Sequence, residues 1–276
     1  MQSEISQKAK DIAEEIKRRT AMNCWKLHIR PDIKTGICDS KIGGLPYWES
    51  SFAYPMDCRG EKLILLAQLN LEQLRTDRPL PRKGILQFFV GSDDLYGMDF
   101  DRPDCQKNFR VVYHPEPDLR VAPEQIRALD IPVHADIDFF PVFQEAGLTA
   151  ESAVCFMGPD DICFQNVFRA AVRTVSGEDI GMQEAYQYLS SPDYEYLYDQ
   201  LDTAGHRLLG YPYFTQSDPR SQDSSYDTLL FQLDSEMRDG KDYVLWGDCG
   251  VGNFFINRED LERRDFGRVL YNWDCC

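Results

Sequence analysis

The chain has 276 residues, of which 43% are hydrophobic and 12% aromatic, and its formal net charge at pH 7 is −16. This charge excludes binding along a nucleic-acid backbone, which requires clustered Lys and Arg, whereas it is compatible with a cationic partner or with a simply solvated surface. No segment approaches the ~20 apolar residues that cross a bilayer, and the charged N-terminus has no apolar signal core. We therefore expect a cytoplasmic protein that binds neither nucleic acid nor membrane.

The cysteines and histidines give no indication of a metal site. The nine cysteines are scattered without a Cys-x-x-Cys pair, and no two of the four histidines stand at the spacing of metal ligands. In a cytoplasmic protein such scatter predicts buried, reduced thiols. The sequence thus predicts no metal and no cofactor, and it defines no oligomeric state.

The first predicted element is an amphipathic helix over residues 3–19. Ile and Ala recur on one face at helical spacing, and Lys and Glu occupy the opposite face. We expect this helix to cover a sheet; a helix that binds a partner is the alternative. Alternating apolar residues from Trp25 to Ile29 then predict a first strand.

Two stretches of the chain, 42–113 and 208–271, carry the same blocks of sequence in the same order. The matching blocks are 44–48 with 210–214, 65–70 with 229–234, 84–90 with 250–256, and 110–113 with 268–271. This recurrence predicts an internal duplication, with repeats over about 39–115 and 206–274. We predict one compact α+β domain in which the β-rich repeats form two mostly antiparallel sheets, related by a pseudo-twofold axis, with peripheral helices.

Short apolar runs predict the strands within the repeats. They are 63–69, 84–90 and 109–113 in the first repeat and 228–233, 243–246, 252–257 and 268–273 in the second. Helical turns are expected over 71–74 and 259–264, and a flexible linker over 221–227. The loop 93–104 holds five aspartates but lacks the spacing of a calcium loop, so we favour an Asp-rich turn over a calcium site.

A helical and irregular insert over about 120–205 separates the repeats. We predict short helices over 122–129, 178–189 and 193–201, the last two divided by Ser190-Ser191-Pro192 and the last closed by Gly205. An extended segment is expected over 133–143. The signals from 146 to 175 are mixed, and no element is assigned before Phe164.

Four stretches together resemble the YwqG-like family of bacterial proteins, over about 39–275. They are Lys41-Ile42-Gly43-Gly44-Leu45-Pro46-Tyr47, Gly84-Ile85-Leu86-Gln87-Phe88-Phe89, 206–212 with Phe214-Thr215-Gln216-Ser217-Asp218-Pro219-Arg220, and Trp246-Gly247-Asp248-Cys249-Gly250-Val251-Gly252-Asn253-Phe254-Phe255. The resemblance implies a cytoplasmic, β-rich α+β protein with no established activity, so it assigns no catalytic residue. It also implies a role as an antitoxin or immunity partner, by analogy with other uncharacterised families.

Two glutamines at matching places in the repeats are the first candidate site. Gln68 and Gln232 each lie inside an apolar strand, where an unpaired amide costs about 1–3 kcal/mol. Gln87 and Asn253 form a second matched pair. Hydrogen bonds to neighbouring main chain are the structural interpretation. The functional alternative is that the amides converge and line a polar cleft between the repeats.

The second repeat carries candidates that the first lacks. Gln216, Asp218 and Arg220 stand near a glycine-shaped loop. With His206 they offer an amide, a carboxylate, a guanidinium and an imidazole, which suit anion or amide recognition. A turn locked by Pro219 explains the same residues structurally.

Asp248 completes the candidate set. Its flanking glycines would let a ligand approach the main chain closely, although a tight hairpin turn explains it equally. No Gly-x-Ser-x-Gly, Walker loop or Gly-x-Gly-x-x-Gly is present, and Cys249 has no nearby histidine in the sequence, so no catalytic residue is assigned. The residues predicted to bind a ligand are Gln68, Gln232, His206, Gln216, Asp218, Arg220 and Asp248.

Two functions remain open at this point. The first is a binding or interaction protein, of an immunity type, that captures a protein partner through its acidic surface. The alternative is a binder of a small polar molecule, or a hydrolase, with a polar cleft at the interface of the repeats. The sequence decides neither whether a reaction is catalysed nor which partner is bound, but a shared cavity for the candidate side chains would favour the alternative.

Overall fold

A sheet of ten strands dominates the computed structural model, which describes residues 4–49, 51–138 and 140–276. The strands are β1 (Met22–Arg30), β2 (Lys41–Ile42), β3 (Ile64–Asn70), β4 (Ile85–Val90), β5 (Phe109–His114), β6 (Ala146–Cys155), β7 (Arg207–Leu208), β8 (Thr228–Asp234), β9 (Glu236–Arg238), β10 (Lys241–Val244), β11 (Val251–Ile256) and β12 (Val269–Asp274). The helices are α1 (Gln7–Thr20), α2 (Pro123–Arg127), α3 (Phe164–Ser176), α4 (Ala185–Tyr188), α5 (Ser191–Gln200) and α6 (Arg258–Arg263), with a 3₁₀ turn over His134–Asp136.

The prediction of two sheets related by a pseudo-twofold axis is wrong, because one antiparallel sheet runs through both repeats. Its strand order is β12-β11-β8-β7-β1-β6-β2-β3-β4-β5, and β9 with β10 forms a separate small ribbon. We call β2 to β5 the first flank and β7, β8, β11 and β12 the second flank. β1 and β6 join the flanks, pairing from Met22 opposite Cys155 to Arg30 opposite Gly147. β6 is the bridge that the sequence did not assign, and with twelve strands against six helices the described chain is β-rich.

The sheet curls until it is nearly closed, and aromatic side chains from the two flanks fill its interior. The Phe88 ring centroid lies 4.5 Å from that of Phe231 and 4.9 Å from that of Phe254, and Phe109 lies 5.1 Å from Tyr271. All five side chains are buried. Because burying a large apolar side chain stabilises a fold by about 1.5–3 kcal/mol, these contacts hold the flanks together.

The acidic loop 93–104 helps to close the gap between the end strands β5 and β12. The N–H of Tyr271 donates to the carbonyl of Pro103 at 2.9 Å, and the indole of Trp273 donates to the carbonyl of Leu95 at 2.8 Å. Asp93 Oδ1 accepts the N–H of Leu95 at 3.1 Å, as in an Asp-rich turn. The aspartates of this loop therefore shape a connection across the closure.

The long helices form a layer of their own. α1 packs mainly against α3 and α5 rather than covering the sheet as expected, and the shared core includes Ile16, Phe168 and Leu197. The hydroxyl of Ser6 accepts the N–H of Ala9 and so caps α1. The Ser6 N–H donates to Asp193 of α5 at 2.8 Å. No helix in the described ranges is long and apolar enough to cross a membrane.

The insert differs from its predicted elements. α3 occupies the region of mixed signals, and the predicted helix over 178–189 shrinks to α4. Gly177 and Gly181 explain the change, since their φ angles of 74° and 57° interrupt right-handed helix. Gly205 does not close α5, which ends at Gln200. The segment 133–143, predicted extended, contains a 3₁₀ turn, and residue 139 lies outside the described residues.

Each flank also buries its outer face in a hydrophobic cluster. The first outer cluster includes Tyr47, Trp48, Leu65 and Phe89, and the second includes Phe214, Leu229, Phe255 and Leu270. The loops that follow β2 and β7 supply the covering aromatic residues. The predicted polar residues of the strands therefore lie beneath these loops.

Candidate functional site

Gln68 is completely buried beneath the loop that carries Tyr47, and its amide oxygen and nitrogen both bond to main-chain groups. Its Oε1 accepts the N–H of Tyr47 at 2.7 Å. Its Nε2 donates to the carbonyls of Ile37 and Asp39 at 2.7 and 2.9 Å. The amide therefore fixes the loop on the first flank.

Gln232 makes the equivalent bonds on the second flank. Its Oε1 accepts the N–H of Tyr213 at 2.8 Å, and its Nε2 donates to the carbonyls of Thr203 and Gly205 at 2.9 and 2.7 Å. Four strands separate β8 from β3 in the sheet. The structure does not bring the two glutamines together, and both follow the structural interpretation of buried amides.

Gln87 extends the buried network of the first flank to His114. Gln87 Nε2 donates to the carbonyl of Tyr47 at 2.7 Å and to Gln68 Oε1 at 2.8 Å, while Gln87 Oε1 lies 3.0 Å from His114 Nε2. Because an amide oxygen only accepts, His114 Nε2 carries the hydrogen. Burial lowers the pKa of His114, which favours the neutral imidazole.

His206 is also engaged in internal hydrogen bonds. Its Nδ1 accepts the N–H of Asp234 at 3.0 Å, so Nε2 carries the hydrogen and donates to Glu236 Oε2 at 2.9 Å. This hydrogen bond is the main cause that lowers the pKa of Glu236. His206 is adjacent to Gly205, the partner of Gln232, but both of its ring nitrogens are already used.

Asp218 and Arg220 form an internal ion pair. Arg220 Nε donates to Asp218 Oδ1 at 2.9 Å and Nη2 to Oδ2 at 2.6 Å, and Nη2 also lies 3.3 Å from Asp161. The guanidinium lies 4.2 Å from the ring centroid of Phe255, and Asp218 Oδ2 accepts the N–H of Ile162 at 3.1 Å. Arg220 lines a cleft of about 150 Å³, yet these contacts chiefly lock its loop onto the insert.

Gln216 and Asp248 lie near the end of β12. Gln216 Nε2 donates to the carbonyl of Cys275 at 2.6 Å. The Asp248 carboxylate and the sulfurs of Cys249 and Cys276 all lie within 4.8 Å of one another. The prediction of reduced thiols is wrong for Cys249 and Cys276, because these two cysteines form a disulfide.

A cleft that the sequence did not indicate opens beside β5. Its volume is about 610 Å³, and Trp48, Phe52 and His114 stand on its walls. The rings of Trp48 and His114 meet edge to face with centroids 5.2 Å apart, and the Trp48 indole donates to the carbonyl of Phe52 at 3.0 Å. Phe52 is 57% exposed, although large apolar side chains are usually covered. The cleft thus has a fixed aromatic wall and one aromatic side chain open to solvent.

Two carboxylates also line this cleft, Glu49 and Glu116. Glu49 accepts the hydroxyl of Tyr47 at 2.8 Å, which holds its side chain in place. Glu116 lies 3.3 Å from the exposed Lys83, a type of pair that contributes little to stability and is easily exchanged. Carboxylates beside aromatic faces form an environment that attracts cations.

The cleft continues into a second hollow of about 560 Å³ that shares Trp48 and Tyr113 with it. This second hollow is lined by Arg110 and Arg264, so its charge is opposite to that of the first. Both hollows border β5, the end strand of the sheet, whose outer edge pairs with no further strand of the described chain. We call the two hollows together the β5 groove.

One comparison with known proteins assigns the chain to a family. The model described as "Domain of unknown function (DUF1963)" matches residues 40–275. The chain belongs to this family. The matched part of the DUF1963 domain holds both flanks, β6 and the β5 groove, whereas α1 and β1 precede it. YwqG-like proteins belong to the same family, which supports the resemblance at that level. No curated protein matches the chain.

Proposed function

We propose that this DUF1963 domain is a binding protein that takes an extended, basic segment of a partner protein into the β5 groove. The observation that carries the proposal is the placement of Trp48, Phe52 and His114 beside the carboxylates of Glu49 and Glu116. Aromatic faces and carboxylates together suit a lysine or arginine side chain. The net charge of −16 would also speed the approach of a cationic partner.

The shape of the groove favours an extended segment over a compact ligand. Its two hollows lie in series along β5, so a ligand that fills both must be long and narrow. The Glu49 and Glu116 end would take the basic side chain, and the Arg110 and Arg264 end would take an acidic group of the same segment. Opposite charges at the two ends would set the direction in which the segment binds.

Of the functions predicted from the sequence, some agree with this proposal and one does not. An immunity-type role, with a basic toxin as the partner, is one case of it, and a cytoplasmic location belongs to the same proposal. The alternative of a hydrolase or small-molecule binder with a cleft between the repeats loses its main support. Main-chain groups take up the amides of Gln68 and Gln232 that were to line that cleft.

We also infer that the two flanks descend from one duplicated unit. Gln68 and Gln232 make equivalent bonds. The pairing of β3 with β4 shifts register around Leu66, and that of β8 with β11 shifts around Leu230, which is the same place in each flank. Substituting both glutamines tests this inference, since equivalent positions should respond alike.

Titration with synthetic peptides tests the proposed binding. A short extended peptide containing lysine should change the tryptophan fluorescence of the protein, and its glutamate-for-lysine counterpart should not. Phe52→Ala should weaken binding of the lysine peptide about tenfold, or about 1.4 kcal/mol, because it removes one aromatic wall. Glu116→Gln should weaken binding about threefold and reduce its dependence on salt.

The control is Glu72→Gln, which removes an exposed carboxylate that does not line the groove. It should leave binding unchanged. Equal affinity for the lysine and glutamate peptides would refute the proposed selectivity. Unchanged affinity in Phe52→Ala would show that any binding occurs elsewhere.

A further inference from the structure

The turn before β11 and the residues after β12 meet at one exposed point. β11 and β12 pair with Val251 opposite Asp274, so the chain just before Val251 and just after Asp274 is brought together. Asp248 and Cys249 lie on one side of this meeting point and Cys276 on the other. Residues separated by 27 positions thus become neighbours, which no spacing rule for sequence motifs would find.

Hydrogen bonds hold both arms of this meeting point in place. In the turn, the N–H of Gly250 donates to the carbonyl of Trp246 at 2.7 Å. At the end of β12, Gln216 donates to Asp274 Oδ2 through its N–H at 2.8 Å and to the Cys275 carbonyl through Nε2 at 2.6 Å. Side chains on arms fixed in this way need little rearrangement to act together.

We propose that Asp248, Cys249 and Cys276 form a redox-gated site for a thiophilic divalent cation of the Zn²⁺ type. One carboxylate oxygen and two sulfurs lie within 4.8 Å of one another, and all three residues are exposed, so a cation can reach them. Two thiolates and a carboxylate are ligands that zinc accepts, with Zn–S bonds of about 2.3 Å. Sulfurs at such distances lie roughly 3.8 Å apart in a tetrahedron, within the span of this cluster.

The oxidation state of the cysteines opens or closes the site. In the disulfide form the sulfurs are bonded to each other and offer no thiolate. Two molecules of a low-molecular-weight thiol reduce the pair: they lose two electrons and two protons in total and leave as their own disulfide, while Cys249 and Cys276 become thiols. The cation then displaces one proton from each thiol and is bound by two thiolates and the carboxylate. Three protein ligands leave a fourth position for water or a further donor.

Metal titration of the full chain in its two redox states tests the site. The chain is reduced with a phosphine, which binds zinc weakly, and Zn²⁺ is titrated in competition with a chromophoric chelator. The reduced chain should bind one Zn²⁺ at least about 100-fold more tightly than the oxidised chain, since two of its three ligands exist only after reduction. Co²⁺ in place of Zn²⁺ should give the near-ultraviolet thiolate-to-cobalt absorption in the reduced chain.

Single variants identify the ligands. Cys276→Ser should lose the cobalt–thiolate absorption of the pair and bind Zn²⁺ about 100-fold more weakly, and Asp248→Asn should bind about tenfold more weakly. Cys275→Ser is the matched control, because it removes the adjacent thiol outside the cluster, and it should bind like the unaltered chain. Equal Zn²⁺ affinity of the reduced and oxidised chain overturns the proposal without any variant. Loss of binding in Cys275→Ser but not in Cys276→Ser overturns the ligand set.

Discussion

The two flanks of the sheet share a hydrogen-bond framework but differ in what completes it. In the first flank, Gln87 donates to the carbonyl of Tyr47, and its oxygen meets His114. In the second, Asn253 donates to the carbonyl of Tyr213 at 2.9 Å, but its Oδ1 has no partner among the described residues. The hydrogen bonds common to both flanks stabilise the fold. The buried His114 of the first flank forms part of the wall of the β5 groove.

A pair of buried cations shows the same division. Lys41 Nζ donates to the carbonyl of Gly36 at 3.1 Å, and Arg207 Nη2 donates to the carbonyl of Ala204 at 2.6 Å. Burial lowers the pKa of both groups. Lys41 Nζ lies 3.4 Å from Glu145 Oε1, whereas the buried Arg207 Nε has no hydrogen-bond partner in the described chain. In both flanks the buried cation thus donates to a main-chain carbonyl, whereas the charged partner of the cation differs between the flanks.

The largest expected effect comes from removing the amides that the flanks share. Gln68→Leu and Gln232→Leu each leave one N–H and two carbonyls of the main chain unpaired. Since each unsatisfied buried group costs about 1–3 kcal/mol, the free energy of unfolding should fall by about 3 kcal/mol or more. Urea unfolding followed by circular dichroism measures the loss.

The exposed Gln183 provides the control for these substitutions. Gln183→Leu should change the free energy of unfolding by less than about 0.5 kcal/mol. If only one of Gln68→Leu and Gln232→Leu lowers the free energy of unfolding by more than Gln183→Leu does, the equivalence of the two flanks is contradicted.

The second amides should reveal the difference between the flanks. Gln87→Met removes hydrogen bonds at both ends of the amide and should cost about 2 kcal/mol. Asn253→Leu removes one donated bond together with an oxygen that has no partner, and should cost about 1 kcal/mol. Chemical denaturation of both variants measures the two losses, and a larger cost at Asn253 would contradict the asymmetry.

The smallest effect is a pH dependence that belongs to the first flank. Burial lowers the pKa of His114, so below about pH 6.5 the unfolded chain binds a proton that the folded chain does not. The free energy of unfolding therefore falls as the pH drops from about 6.5 towards the folded pKa. The slope from this group is at most about 1.4 kcal/mol per pH unit. His114→Gln should remove that part of the slope.

Urea midpoints measured from about pH 8 to 5, for the unaltered chain and for His114→Gln, isolate this contribution. The difference between the two series cancels carboxyl groups such as Asp160. Burial raises the pKa of Asp160 to about 6, and its effect on stability has the opposite sign. Parallel series would mean that His114 does not carry the effect.

The sequence predicted the individual strands better than their assembly. β3, β4, β8 and β11 lie close to the predicted positions, because each is a mostly apolar run buried on both faces. β6 was missed because its second half is largely exposed and its first half is rich in small residues, which leaves little periodic signal. Without β6 and its pairing to β1, two repeats imply two sheets.

The sequence likewise singled out some of the candidate residues and gave no signal for others. Gln68 and Gln232 were found because a polar residue inside an apolar run is conspicuous, and their structural interpretation agrees with the hydrogen bonds. Trp48 and His114 gave no signal for the groove, since aromatic residues in apolar surroundings usually indicate core. Cys249 and Cys276 could not be paired from the sequence, because only the register of β11 with β12 brings them together.

The central position of β1 has a consequence for how the protein is made. β6, the main neighbour of β1, leaves the ribosome roughly 120 residues after β1, which at ~5–20 residues per second is a delay of several seconds or more. The other neighbour of β1, β7, is synthesised later still. Until then Leu27, Ile29 and the rest of the strand have no sheet to join. β1 is therefore synthesised before both of its partners, and a nascent chain halted before β6 would expose the apolar side chains of β1 to chaperones and proteases.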